Sequence, residues 1–191
     1  MTKEDKKLRI FKEGFNLFKK KGTENTSIQE IVDKAGVAKG TFYLYFKDKY
    51  DLREQLITKK SYEIFNSAIE KLKKTEIKEF DDKIIFVIDY IIDYLKENKT
   101  LLKFISKNLA FGLYSERIPE IIKDNNLGMF DLFIKGAEEN NIKIDNPEIT
   151  LYMIIELVGS TCFSTIIKEK PISIDEYKPY LYKTIKKMIK D

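Results

Sequence analysis

The chain has 191 residues, of which 35% are charged and 43% hydrophobic, a length that holds one mid-sized domain or two small ones with ample core. A single cysteine, Cys162, excludes an internal disulfide framework or a CxxC metal site, and the absence of histidine removes the usual parts of zinc-hydrolase and Ser–His chemistry. No catalytic residue, metal or cofactor is therefore expected. The longest apolar runs are interrupted by Asp89 and Asp93, or by Glu156, so no membrane partner is expected. The charged start MTKEDKK feeds a helix rather than a secretory signal, and a cytoplasmic location is the expectation.

Thr2 followed by Asp5 is a capping-box signal for a helix running to about Lys21. Leu8, Phe11, Phe15 and Phe18 recur at three and four along it, a spacing that predicts a core-facing stripe with Lys12, Lys19 and Lys20 outside. Gly22 ends that helix. Next comes TSIQEIVDKAGVAKGTFYLYFKDKYD, residues 26–51. Thr26 or Ser27 can N-cap a short helix whose Ile28, Ile31 and Val32 share one face. Gly36 stops it, where a residue free to take positive φ is wanted. Val37 turns inward, and a second helix is predicted from Gly40 through Phe46. Phe42 and Phe46, four apart, anchor one side of it, which leaves Lys39, Thr41, Tyr43 and Tyr45 toward the other side or the ends. Two short helices around a glycine turn, the second showing hydroxyls, aromatics and a lysine, form a helix-turn-helix pattern.

Asp48 is a good N-cap for a long helix to about Lys74, which leaves the helix-turn-helix unit at one end and enters the rest of the chain at the other. FDDKIIFVIDYIIDYLKEN, residues 80–98, is nearly all apolar except for a stripe of Asp89, Asp93 and Lys96, as expected of a helix central to a helical body. Thr100 caps a helix through Ala110 that Gly112 is expected to break, and Pro119 suits the first turn of a short helix to Asp124. Residues 127–140 form another, with Met129, Phe130, Phe133 and Ile134 inward. Asn146 with Pro147 opens a helix through Lys168, Pro171 closes it, and Ser173 with Glu176 caps the last. No strand shows convincing alternation. The fold class is all-α, with about nine helices.

The net charge of +4 is unevenly spread: twelve Lys and Arg face seven Asp and Glu through residue 49, while the remainder holds 23 against 24. A basic N-terminal unit on a neutral body points to nucleic acid, although lysine-rich helices are also simply well solvated. At KKG, TSI and AGVAKGTFYLYFKDK, ending with Leu52, the chain resembles the TetR (tetracycline-repressor-like) family of bacterial transcriptional regulators, and some twenty positions agree over residues 8–52. The resemblance implies a helix-turn-helix DNA-binding domain at 1–49 and a helical ligand-binding and dimerisation domain at 50–191. It also implies a homodimer on a palindromic double-stranded DNA operator, a small-molecule effector, and repression as the commoner mode. Gly14 stands where the family has a small alanine, Thr23 where an aromatic is common, and Ala38 where serine is frequent.

By resemblance, Lys39, Thr41, Tyr43, Tyr45 and Lys49 match positions that touch DNA. Thr26 and Ser27 are placed to meet a phosphate at a helix N-terminus, and Gly40 permits close approach. In the family a cavity among the middle helices takes the effector. Phe65, Phe86, Tyr90, Tyr94, Phe104 and Phe130 are the rings assigned to it, and the ligand is then largely apolar. Glu156 has three readings: it recognises a cationic ligand, pairs across a subunit interface, or reaches solvent. Cys162 reads as a small buried hydrophobe rather than a redox sensor. The dimer interface is assigned to helices 147–168 and 174–190, through Gly159, Ser160 and Ser164 for close approach and Tyr180, Leu181, Ile185 and Met188 for apolar area. A DNA-binding regulator or nucleoid-associated protein without a small-molecule ligand is the alternative.

Overall fold

The computed structural model describes residues 2–105, 108–114 and 129–190. Among them every regular element is an α-helix: α1 (Lys3–Lys21), α2 (Ile28–Ala35), α3 (Lys39–Tyr43), α4 (Lys49–Leu72), α5 (Phe80–Glu97), α6 (Lys99–Ile105), α7 (Leu109–Leu113), α8 (Met129–Glu139), α9 (Pro147–Ile167) and α10 (Ile174–Lys190). The expected all-α architecture is the observed one. The short helix expected after Pro119 lies outside the described residues.

Helix α1 starts with the expected box: the Thr2 amide donates to Asp5 Oδ2 at 2.8 Å and the Asp5 amide to Thr2 Oγ1 at 3.1 Å. Its buried face is the expected stripe only in part, with Phe11 and Phe18 buried and Phe15 half-buried. Ile10, Phe11, Gly14, Leu17 and Phe18 point inward, and Leu8 is 49% exposed. The rotation follows from close packing on α4, because a Cβ at Gly14 would lie 2.7 Å from Leu52 Cδ2. A helix that presents its smallest residue to a neighbour turns positions 10, 14 and 17 inward and 8 outward.

Helix α4 begins at Asp48, whose carboxylate accepts from the amides of Tyr50 and Asp51 at 2.8 and 2.9 Å. Its 24 residues span about 36 Å at 1.5 Å per residue. It packs on α1 at one end and on α5, α6 and α7 beyond. The single helix expected over 100–110 is instead two, α6 and α7, and Gly112 sits inside α7 rather than breaking it. That glycine lets α7 lie close on α4: a Cβ there would stand 2.5 Å from Ser61 Oγ and 3.2 Å from the Ile57 carbonyl oxygen.

The polar stripe on α5 is half-exposed and also forms a seam with α10. Lys178 reaches Asp89 at 2.6 Å and Asp93 at 2.5 Å, and Lys96 reaches Asp175 at 2.7 Å. Lys190 and Lys186 hold buried Asp81 at 2.9 and 3.2 Å, Lys186 also meets Asp82, and the Tyr182 hydroxyl donates to Asp89. Burial raises the Tyr182 phenol pKa, and the bond to Asp89 adds to the rise.

Helix α9 opens as expected, with Asn146 accepting from the Ile149 amide at 3.1 Å and Pro147 in the first turn. It is the one helix among the described residues long and apolar enough to cross a membrane, and half of its most apolar window is buried inside the chain. It packs on α5, α6, α7, α8 and α10. Cys162 lies buried in it, and burial pushes the thiol up to about 12, as a small hydrophobe rather than a reactive group requires.

Candidate nucleic-acid interface and body cavity

The turn between α2 and α3 is built by Gly36, left-handed at φ +63°, whose amide bonds Asp33 and Val32. A Cβ there would also meet Arg9 Nη2 at 2.8 Å. Helix α3 covers only Lys39–Tyr43, shorter than the 40–46 expected. Its closing turn is tightened by the Tyr45 and Phe46 amides, which both bond the Phe42 carbonyl at 3.0 Å. Phe42 and Phe46 are fully buried, their centroids 5.3 Å apart, and Phe46 meets Phe11 edge-on at 5.2 Å. This aromatic anchor fixes which side of α3 faces out. Lys39, Gly40 and Tyr43 are exposed on it, Leu44 is 74% exposed, and Thr41 is half-buried. Among the described residues no hydrogen bond or ion pair occupies the Lys39 ammonium, so a cation, a phenol and an apolar side chain stand together toward solvent.

The flanking positions divide. Ser27, not Thr26, caps α2: it accepts from the Glu30 amide at 3.2 Å, and its own amide donates to Glu30 Oε2 at 3.0 Å. Lys21 and Ser27 together hold the Glu30 carboxyl down at about 2. Thr26 is 1% exposed, and its hydroxyl donates to the Gly22 carbonyl at 2.8 Å. The expectation that its hydroxyl meets a phosphate is thereby corrected, because burial and that bond remove it from the surface. The Tyr45 hydroxyl donates to the Lys3 carbonyl at 2.8 Å, tying the exit of α3 to the start of α1. Lys49 donates to the Glu24 carbonyl at 2.9 Å and keeps its remaining N–H donors. Lys47 is exposed too, a cation that the resemblance does not match to a DNA-touching position.

In the body, a cavity of about 580 Å³ opens among five helices. Phe65, Ile69 and Leu72 of α4 line it, with Phe80, Ile84, Val87, Ile88 and Ile91 of α5, Leu109 and Leu113 of α7, Leu132 and Phe133 of α8, and Leu151, Ile154, Ile155 and Val158 of α9. Lys73, Thr75, Lys83, Lys135 and Glu139 are its polar residues. Of the seven residues assigned to a pocket from sequence, only Phe65 is on this wall. Tyr90 is held by a 2.7 Å hydrogen bond to Ser67, and Tyr94 and Phe86 lie on the partly exposed side of α5. Phe104 packs instead on Phe15 and Phe18 of α1, at 5.1 and 6.4 Å. Phe130 and Glu156 are half-buried off the cavity, and Glu156 has no ion pair among the described residues. The lining that sequence reading missed is aliphatic, and Ile, Leu and Val at helical spacing carry no signal separating a cavity wall from filled core.

The residues assigned to a dimer interface also divide. Gly159 faces Leu109 of the same chain, with a Cβ position 3.3 Å from Leu109 Cβ, and Leu181 and Ile185 are buried in the chain's own core. These three are corrected: they build the monomer's interior. Ser160, Ser164 and Met188 are half-buried and Tyr180 is 68% exposed.

A three-helix unit presenting a short, aromatically anchored helix, joined by one long helix to a hollow helical body, is the architecture of a helix-turn-helix transcriptional regulator. Residues 10–56 match the family described as bacterial regulatory proteins, tetR family. An HTH-type transcriptional regulator of Staphylococcus aureus strain USA300 is 27% identical over 174 residues, covering 91% of this chain and 88% of that protein. Among solved structures, the regulator FadR of Bacillus subtilis in complex with stearoyl-CoA superposes with a TM-score of 0.63 at 20% identity, over 95% of this chain and 98% of that one. RolR in complex with resorcinol superposes with a TM-score of 0.66 at 15% identity, over 98% and 88%. The chain is thus similar to TetR-family regulators at its helix-turn-helix unit and to an HTH-type transcriptional regulator over most of its length.

Proposed function

We propose that the protein is a cytoplasmic homodimeric repressor that binds a palindromic operator through residues 1–49 and releases it when a small, largely apolar molecule enters the body formed by residues 50–191. The observation that carries this reading is the continuous α4, whose first turn adjoins the helix-turn-helix unit and whose last turns form a wall of the 580 Å³ cavity. That volume lies in the range of small-molecule sites, about 300–1,000 Å³, and its largely aliphatic wall suits an apolar ligand. The stearoyl-CoA and resorcinol complexes of the FadR and RolR structures support effector binding in this architecture. The cavity weighs against a regulator without a ligand.

The proposed DNA contacts are Lys39, Gly40, Thr41 and Tyr43 at the groove, with Leu44 available to a thymine methyl and Ser27, Lys49 and Lys47 near the phosphates. One such unit reads few bases, so a pair is needed, its recognition helices about 34 Å apart or a multiple of that. The outward face of α9 supports the pairing. Ile149 and Met153 are 51% and 46% exposed, and Leu157, Ser160 and Ser164 continue the same stripe, while Tyr180 of α10 is 68% exposed and Met188 half-buried.

Selection of bound duplexes from a random pool tests the reading. A palindrome bound by two protomers is expected, with affinity falling when an apolar ligand is added. A non-palindromic site bound by a monomer, or selection of no sequence at all, overturns it.

A further inference from the structure

The polar residues of the cavity are not scattered around its wall. The charged residues of the lining come from the end of α4, the first turn of α5 and α8, while Ile91, Leu109, Leu113 and Val158 of the lining are apolar; α8 meets the start of α5 at a mouth. The crossing is tight: a Cβ at Gly136 would lie 2.5 Å from Phe80 Cε2, and the Phe80 and Phe133 rings are 5.5 Å apart. Lys135 adjoins Gly136 and Lys83 lies one turn after Phe80, so both belong to this mouth.

Their state differs from that of the paired lysines of the body. Lys178, Lys186 and Lys190 are consumed by aspartates of α5, and Lys73, at the same mouth, is held by Glu70 at 2.7 Å. The ammonium groups of Lys83 and Lys135 have no hydrogen bond or ion pair among the described residues. Glu139, one turn beyond Lys135, is the one carboxylate on the lining, and it pairs with neither. Lys83 is half-buried and Lys135 exposed, and a lysine on an apolar wall buries its stem while its ammonium stays in water. An apolar chamber of this size with two uncommitted ammonium groups at one end matches an amphipathic molecule whose charged end is negative.

Resting on the effector reading above, we infer that the ligand class is an amphipathic anion, with its apolar body in the cavity and a single anionic head between Lys83 and Lys135. At about 30 Å³ for each water-sized unit, 580 Å³ has room for roughly nineteen such units, enough for a chain or fused-ring body.

Titration calorimetry with three probes of one chain length tests this: decanoate, decanol and decylamine, each below its micelle-forming concentration. Decanoate is expected to bind wild type about three- to tenfold more tightly than decanol, the factor for two solvent-screened ion pairs, with decylamine weakest. The Lys83→Gln/Lys135→Gln variant is expected to bind decanoate and decanol alike while keeping its affinity for decanol. Both substitutions remove groups without partners among the described residues, so an unchanged circular dichroism melt is expected. Equal binding of all three probes by wild type, or a decanoate preference that survives in the variant, overturns the anion inference and leaves the apolar effector cavity standing. If no probe binds, the effector reading and the inference fall together.

Discussion

Adding one methyl group at Gly112 tests whether α7 is clamped to α4 as closely as the structure has it. On an exposed helix Gly→Ala stabilises by about 0.5–1 kcal/mol, because alanine loses less backbone entropy. At position 112 the new Cβ would stand 2.5 Å from Ser61 Oγ, 2.8 Å from Ser61 Cβ and 3.2 Å from the Ile57 carbonyl oxygen. Two of those atoms cannot swing aside, since a Cβ and a carbonyl move only with the α4 backbone. Overpacking of this kind costs about 1–3 kcal/mol, which exceeds the propensity gain. Gly112→Ala is therefore expected to lose about 1–2 kcal/mol net, or roughly 2–8 °C of Tm for a chain of this size. Gly40→Ala is the internal control: nothing lies within 4 Å of its Cβ position, so stability is expected to be unchanged or to rise by up to about 1 kcal/mol. Urea unfolding at fixed protein concentration reads both, because a dimer's midpoint moves with concentration. A double-mutant cycle with Ser61→Gly is expected to show a coupling of at least about 0.5 kcal/mol favouring the pair. A Gly112→Ala protein as stable as wild type, with no coupling to position 61, would refute the close α4–α7 contact.

Lys39→Ala is expected to weaken DNA binding across all sequences and to flatten the salt dependence by about one unit of slope, read by fluorescence anisotropy over a salt series; a sequence-dependent loss would instead make it a base contact. Asp81, whose pKa burial raises but the Lys190 and Lys186 hydrogen bonds bring below the usual value, contributes stability that is complete above about pH 4 and is lost as pH falls through its lowered folded pKa. Lys186→Gln/Lys190→Gln leaves that buried carboxylate without partners, so a loss of about 1–3 kcal/mol at pH 7 and an acid transition moved to higher pH are expected in circular dichroism melts from pH 2 to 7. The Cys162 thiol, pushed up to about 12 by burial, is expected to react with a thiol reagent at pH 8 only as fast as the chain opens, and at full rate in urea.

What could be read from the sequence was local. The α2–turn–α3 unit was legible because Gly36, Ser27 and the Phe42–Phe46 pair act within a few residues of each other, and a capping box or a left-handed turn has a signature at fixed spacing. On α1 the spacing gives Phe11 and Phe18 correctly but not Ile10 for Leu8, since the two are equally apolar and only the approach of Leu52 to Gly14 decides which faces in. Asp89, Asp93 and Lys96 stood out on α5 but read as a wet face, because their partners on α10 lie 79 to 93 positions away. The cavity was the hardest part. Rings drew the reading to α5, yet Tyr90 is occupied by Ser67 and the hollow is walled by aliphatic residues. Whether an aliphatic side chain meets a neighbour or empty space depends on how five helices are spaced, and no one of them encodes that spacing.

Phe104 shows what such a misassignment can reveal. Its aromatic character groups it with the effector rings, yet it lies in the joint between α6, α1 and α4. Its ring meets Phe15 edge-on at 5.1 Å and stacks on Phe18 at 6.4 Å, with the Arg53 guanidinium 6.0 Å from its centroid. It thus ties α6 to α1 and to the first turns of α4. Helix α7, which follows α6 in the chain, contributes Leu109 and Leu113 to the cavity wall, so a ligand that displaces α7 has a packed route through α6 to α1. Effector control needs only about 1–3 kcal/mol of coupling, and an aromatic pair is worth about 0.5–1.5 kcal/mol beyond its area. Losing this ring is therefore enough to remove a large part of the coupling. Phe104→Leu is expected to bind operator and ligand each within a few-fold of wild type while the ligand's effect on operator affinity collapses toward unity. Linkage requires the reciprocal effect of DNA on ligand binding to collapse by the same factor, so both are measured. A variant whose operator is still released as fully as in wild type would show that the signal bypasses this ring and reaches the DNA-binding unit along α4 alone.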